Sequence, residues 1–308
     1  MVSKKNGGDQ TLTHAQSKML DASEIIFSER ASDKDAAYLA RQLVQATLPH
    51  TDPGDVPAWS RTNGNLTLTI QPGWDSKEKR SNGYPYGIIP RLLLFWMTTE
   101  ALRTKSRHLE LGPSLSKFMA ALGLDPSRGG KRSDAVRLKE QMLRLFRARI
   151  TFETTITQYG RTGDARRDML VTEKSILWWD HDEAGQPPKW GSSIELSEKF
   201  YQAIIASAVP ADVRALRALK RSPLALDLYA WLTYEAWRAR RNKQARFVSW
   251  ELLHAQFGAE YGEVRNFQQA AKKALLKIKL IFPDLLLGNR RGGIEILPGS
   301  LPAIPPRA

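Results

Sequence analysis

The 308-residue chain has no cysteine, which excludes disulfides and thiolate metal sites. Its five histidines, at 14, 50, 108, 181 and 254, form no His-x-His or His-x-x-x-His pair, so the paired metal ligands of a rolling-circle nickase are missing. The run Asp180-His-Asp-Glu183 sets four ligand types side by side. Consecutive side chains do not converge on one ion, and the run reads as a solvated loop. A phosphate loop, G-x-x-x-x-G-K-[ST], is also missing: the nearest text, Asp125-Pro-Ser-Arg-Gly-Gly-Lys-Arg132, fails at both ends. There is no G-x-S-x-G nucleophile elbow. These absences argue against an enzyme, and no cofactor or metal is expected. No long apolar run or lipidation motif speaks for a membrane. Met1–Gln10 is polar rather than a signal peptide. A soluble, cytoplasmic protein is the expectation.

Acidic residues are the minority, 32 Asp and Glu against 46 Lys and Arg, for a net charge of +14. The excess is local. Residues 128–167 hold eleven Lys/Arg and four Asp/Glu, and residues 238–279 hold ten and three, so each stretch carries +7. Charge gathered in this way, rather than spread for solubility, predicts a polyanionic partner.

The chain repeats itself. At an offset of 135, Trp96, Thr98, Glu100, Ala101 and Arg103 return as Trp231, Thr233, Glu235, Ala236 and Arg238. The same offset aligns Ser114–Gly123 with Ser249–Gly258. Two copies suggest a duplicated domain rather than a solenoid. In each copy a long apolar-periodic helix (87–105, 222–241) precedes a short extended stretch (107–111, 246–248). Ser114 or Ser249 then caps a short helix, and Gly123 or Gly258 ends it in the left-handed region. A longer helix follows, at 133–149 or 263–280. β signals come last: Ile150–Tyr159 and Met169–Trp179 in copy one, Leu285–Leu287 and Ile294–Leu297 in copy two.

That order predicts an α+β fold of two tandem winged-helix domains, each a helix-turn-helix with a β-hairpin wing, with 133–149 and 263–280 as recognition helices. The expected division is an N-terminal segment 1–48, partly disordered; domain 1 over 49–208; a basic connecting helix 209–221; domain 2 over 222–298; and an unpacked tail 299–308. Leu66–Ile70 reads as a strand extending the first sheet, and 1–35 as disordered or loosely helical.

In helix 263–280 the expected buried stripe is Val264, Phe267, Ala271, Leu275 and Ile278. Arg265, Asn266 and Gln269 fall outside it near the helix start, where Arg can pair with guanine and Asn or Gln with adenine. Lys272 and Lys273 suit phosphates, as do Arg246 and the turn cations Arg290 and Arg291. In helix 133–149 the expected stripe is Val136, Leu143, Phe146 and Ile150. That leaves Arg137 and Arg144 exposed, with Lys131 and Arg132 at the start and Arg161, Arg166 and Arg167 in the wing as phosphate contacts. Copy two is expected to carry more of the sequence specificity.

The text over about 84–298 resembles the RepA family of plasmid replication initiator proteins, the type found on broad-host-range plasmids of Gram-negative bacteria. The resemblance rests on Tyr84-Pro-Tyr-Gly-Ile-Ile-Pro-Arg-Leu-Leu-Leu94, Leu109-Glu-Leu-Gly112, Ser114-Leu-Ser-Lys-Phe-Met119, Leu177-Trp-Trp179, the run Arg217–Tyr234, Leu253-His-Ala-Gln-Phe-Gly258 and Val264-Arg-Asn-Phe267. It implies binding to repeated sites (iterons) in duplex origin DNA, origin opening, and recruitment of host replication initiator and helicase proteins. It also implies self-association between monomer and dimer, with repression of its own gene. A tandem winged-helix transcription regulator without a replication role is the competing reading; a primase or nickase is a third.

Overall fold

The computed structural model describes residues 13–127, 129–130, 133–158, 161–177, 191–258 and 260–304. The first elements are α1 (His14–Ser28), β1 (Ala36–Ala40), α2 (Arg41–Gln45), β2 (Trp59–Asn63), β3 (Leu66–Gln71), β4 (Trp74–Asp75) and β5 (Arg80–Ser81). Copy one runs through α3 (Ile88–Thr104), β6 (His108–Glu110), α4 (Leu115–Ala121), α5 (Asp134–Arg147), β7 (Arg149–Gln158), β8 (Arg161–Leu170), β9 (Thr172–Ile176), β10 (Ser193–Leu196) and α6 (Glu198–Ala206). After β11 (Ala208–Asp212) and α7 (Val213–Leu219), copy two follows as α8 (Pro223–Asn242), β12 (Arg246–Ser249), α9 (Trp250–Phe257), α10 (Val264–Ile281) and β13 (Gly293–Ile296). The fold is mixed α/β.

The repeat is physical as well as textual. α3 and α8 both end on a lysine in the left-handed region, Lys105 (φ 54°) and Lys243 (φ 52°). Glu100 pairs with Arg103, and Glu235 with Arg238 at the equivalent positions. Ser114 accepts from the Lys117 amide and Ser249 from the Leu252 amide, so both short helices start on the expected cap. Gly123 takes the left-handed conformation, φ 71°. Gly258 does not: at φ −102° its glycine answers to space, because a Cβ there would strike the ring and carbonyl of His254.

Strand pairing departs further from expectation. β2, β3, β7 and β8 form one antiparallel sheet in that order, and Leu66–Gln71 does extend it. β8, however, starts at Arg161 and ends where Leu170 faces Arg149, the first residue of β7. Beyond that point β7 offers no partner, so Met169–Trp179 is not one strand. β9 instead joins β10 and β6 in a separate three-stranded sheet. β12 pairs with β13, and Leu287 bridges to Ile296. The expected connecting helix at 209–221 begins as β11, which pairs with β1 over five residues.

One apolar core takes residues from both copies, among them Leu93, Met97, Leu145, Leu228 and Phe267. The described segments near both ends of the chain join the packing. α1 starts on a Thr13–Gln16 capping box, and the Ser23 hydroxyl donates to the Leu280 carbonyl at 2.6 Å. Contrary to the expected unpacked tail, Ser300 and Ile304 are buried, and the Leu286 amide donates to Ser300 Oγ.

Candidate nucleic-acid interface

α10 is amphipathic. Phe267, Ala271, Ala274, Ile278 and Ile281 are buried, while Arg265, Asn266, Gln269, Lys272 and Lys273 are exposed. At 100° per residue, Arg265, Gln269 and Lys272 lie within one narrow sector opposite the core. No hydrogen bond or ion pair engages Arg265, Asn266, Gln269 or Lys273 among the described residues. Lys272 is less free: its Nζ lies 5.9 Å from the Trp250 ring centroid. Side-chain donors on this face are therefore available to an outside partner.

The β12–β13 pair packs against α8 and α9. Gly293 opens β13, where a Cβ would meet the Val248 carbonyl and the Phe247 ring, so the strands close up only around glycine. The preceding turn presents Arg290 and Arg291, both exposed. The Arg290 guanidinium lies 3.9 Å from the centroid of Phe247, which fixes its base while its edge faces solvent. Arg246 is held inward, its Nε donating to Glu235 at 3.0 Å.

α5 differs. Leu138, Gln141, Met142, Leu145 and Phe146 are buried, and Ile150 is buried on β7; Phe146 and Ile150 follow expectation, whereas Val136 turns outward to 47% exposure and Leu143 is half-buried. Arg144 is not exposed either. Its side chain is 14% accessible and pairs with Asp52 and Glu140. It also donates to the Tyr84 carbonyl and lies over the Tyr86 ring. It anchors the loops before α3, a structural duty that removes it from a surface role. Arg137 is exposed but paired with Asp134. Lys131, Arg132 and the side chain of Arg161 lie outside the described residues.

Arg166 and Arg167 sit on β8, in the sheet with β2 and β3. That is not the counterpart of β12–β13: by position in the repeat, β6 and β10 correspond to those strands. Arg166 is exposed and pairs with Asp168 at 3.0 Å. Arg166 and Arg167 both line a groove of about 690 Å³, with Arg41 and with Arg238 and Arg246, which pair with the lining Glu235. Arg41 and Arg238 were not anticipated. Nothing in the linear text separates them from other surface arginines, because the groove exists only once β8 meets copy two.

Between the copies lies a buried charge network. Arg91 donates twice to Asp227, at 2.8 and 2.7 Å; His50 Nε2 lies 2.8 Å from the same carboxylate. The His50 amide donates to Glu260 at 2.7 Å, and Arg61 reaches both Glu260 and the Gln256 carbonyl. Burial pushes the Asp227 and Glu260 carboxyls up. Arg91 and His50 at Asp227, and His50 and Arg61 at Glu260, outweigh it and hold both well below the usual carboxylate range. No group of three or more His, Cys, Asp or Glu among the described residues could hold a metal, and the Asp180–Glu183 run lies outside them. Among the described residues no helix is long and apolar enough to cross a membrane.

Two solved structures resemble the chain. A selenomethionine derivative of domains 2 and 3 of RctB is 10% identical, with a TM-score of 0.49, covering 81% of this chain and 94% of that one. A second structure of RctB domains 2–3 is 9% identical, with a TM-score of 0.41 over 82% and 94%. No curated protein matches. Residues 84–252, more than half of the chain, match the family model described as plasmid encoded RepA protein. The chain belongs to the RepA family of plasmid replication initiator proteins.

Proposed function

We propose that the protein binds repeated sites in the duplex DNA of its plasmid origin, reading base edges through α10, and that bound copies open the origin and recruit host replication proteins. The observation that carries this reading is the outer face of α10. Arg265, Asn266 and Gln269 cluster near its start, solvated and free of internal partners, on the longer helix that follows a short one. Family membership supplies the replication context. Both copies are taken as winged helices and as tandem domains divided near 209–221. In that reading Leu287 bridged to β13, with Arg290 and Arg291 in the turn between them, is the second wing. The first is the β9–β10 pair rather than β7–β8. α5, whose arginines are largely engaged within the fold, contributes backbone affinity. Self-association and repression of its own gene belong to the same proposal.

The test is binding to origin DNA and to scrambled duplex across a salt series, with footprinting. Periodic footprints and a preference that survives physiological salt are expected. Equal, steeply salt-dependent binding to both would mean that only phosphates are held. Arg265→Ala should cost about 1–3 kcal/mol at one base position, and Lys273→Ala should lower the salt slope by about one unit without changing preference. Melting of adjacent A·T-rich DNA separates initiation from simple transcriptional control, and Mg²⁺-dependent nicking would indicate an enzyme.

A further inference from the structure

A second groove, of about 1130 Å³, opens where the C-terminal ends of α3 and α8 meet β1 and β11. Thr99 and Leu102 line it from α3, Tyr234 and Trp237 from α8. These are the same two positions of the repeat, at the offset of 135. Each copy therefore turns the same helix face into one shared cleft. Val209, Pro210, Pro302 and Ile304 complete an apolar lining. Trp237 is 46% exposed, an unusual position for so large an apolar surface.

The surround is basic. Lys34, Arg41, Arg103, Arg240 and Arg241 line the groove, against Asp33 as the one acidic lining residue described. Arg103 is paired with Glu100. No carboxylate pairs with Lys34, Arg41, Arg240 or Arg241 among the described residues. Arg241 instead lies over Trp237 at 5.1 Å and Arg238 over Tyr234 at 5.5 Å. Neither α5 nor α10 contributes to the lining, so an occupant leaves both proposed DNA-reading helices uncovered.

We infer that this groove docks an acidic, amphipathic helical segment of a second protein. The volume exceeds that of ordinary small-ligand sites, about 300–1,000 Å³. An apolar floor between cations is the complement of a helix with one apolar stripe and acidic flanks. Trp and Arg are the side chains that most often dominate such contacts, and like-signed rim charge selects and steers an oppositely charged partner. Nucleic acid fits less well. The floor offers phosphates nothing, and Tyr234 and Trp237 stack on one another, with guanidiniums over them, which leaves little ring face for bases.

The experiment is selection of peptides from a random 16-residue display library on the full-length protein, with enriched peptides then measured against variants. Enriched sequences should be acidic, with apolar residues at three- and four-residue steps. Trp237→Ala and the double variant Arg240→Glu/Arg241→Glu should each weaken them at least tenfold, while origin-DNA binding, which reports the intact fold, stays within twofold. Failure to enrich, basic or unpatterned sequences, or unchanged affinity for Trp237→Ala would overturn the inference. So would a tenfold loss of DNA binding in the Arg240→Glu/Arg241→Glu variant if Trp237→Ala keeps it, since the rim would then hold phosphate. Loss of a wild-type dimer in Trp237→Ala, by sedimentation velocity, would assign the groove to a second copy instead.

Discussion

Asp227 accepts two hydrogen bonds from Arg91 and faces His50, with only 7% of its side chain accessible. Arg91 spends its remaining donors on the carbonyls of Leu48, Pro49 and Gly87, so the pair is fully satisfied. Removing one partner strands the other charge: Asp227→Ala should cost about 3–5 kcal/mol, read as a lower urea midpoint at neutral pH. Replacing both Arg91 and Asp227 by leucine should recover much of that loss. The network also sets a pH dependence. Glu260 is held at about 2 against an ordinary value of 4.5. Because the folded value is depressed, the stabilisation is complete above pH 4.5 and is lost as pH falls toward 2. The urea midpoint should therefore drop across that window, and less steeply in Glu260→Gln. Equal slopes would remove Glu260 from the account. None of this was legible in the text, since five polar residues spread over 211 positions, His50 to Glu260, carry no local pattern.

Helix boundaries were legible because they are local. Ser114 and Ser249 announce their helices through side-chain chemistry that acts within three residues, and the fold uses both. Ser114→Ala and Ser249→Ala should each cost about 1 kcal/mol, measurable by thermal melts; no loss at either would mean that water replaces the cap. Strand partners were not legible. β1 reads Ala-Ala-Tyr-Leu-Ala and β11 Ala-Val-Pro-Ala-Asp, both poor in the β-branched and aromatic residues that mark strands, and paired residues lie 168 positions apart or more. Gly160–Gly163 pointed to a hairpin between 150 and 179, but periodicity could not show that its second strand stops at Leu170 and that β9 changes sheet. The site divides in the same way. The free face of α10 follows from helical phase alone. The engagement of Arg144 and the cleft around Arg167 depend on contacts with residues far away in sequence.

At the scale of the molecule, duplication has not produced two separate globules. The apolar cluster runs through both copies, β1 from the N-terminal region pairs with β11 just before copy two, and the Arg91–Asp227 contact bridges α3 and α8. A chain of this length ordinarily unfolds in more than one step, because two-state behaviour is typical of single domains under about 150 residues. Here the seam is expected to join the copies into one cooperative unit. Urea unfolding followed by tryptophan fluorescence and by far-UV circular dichroism should give coincident transitions in the wild-type protein, with tryptophans reporting from both copies. Asp227→Ala, which leaves the Arg91 charge buried at the seam, should pull the two curves apart before it abolishes folding. Two separated transitions in the wild type would show that the copies fold independently; the shared core and the buried ion pair would then be contacts between finished domains rather than the link that makes them one.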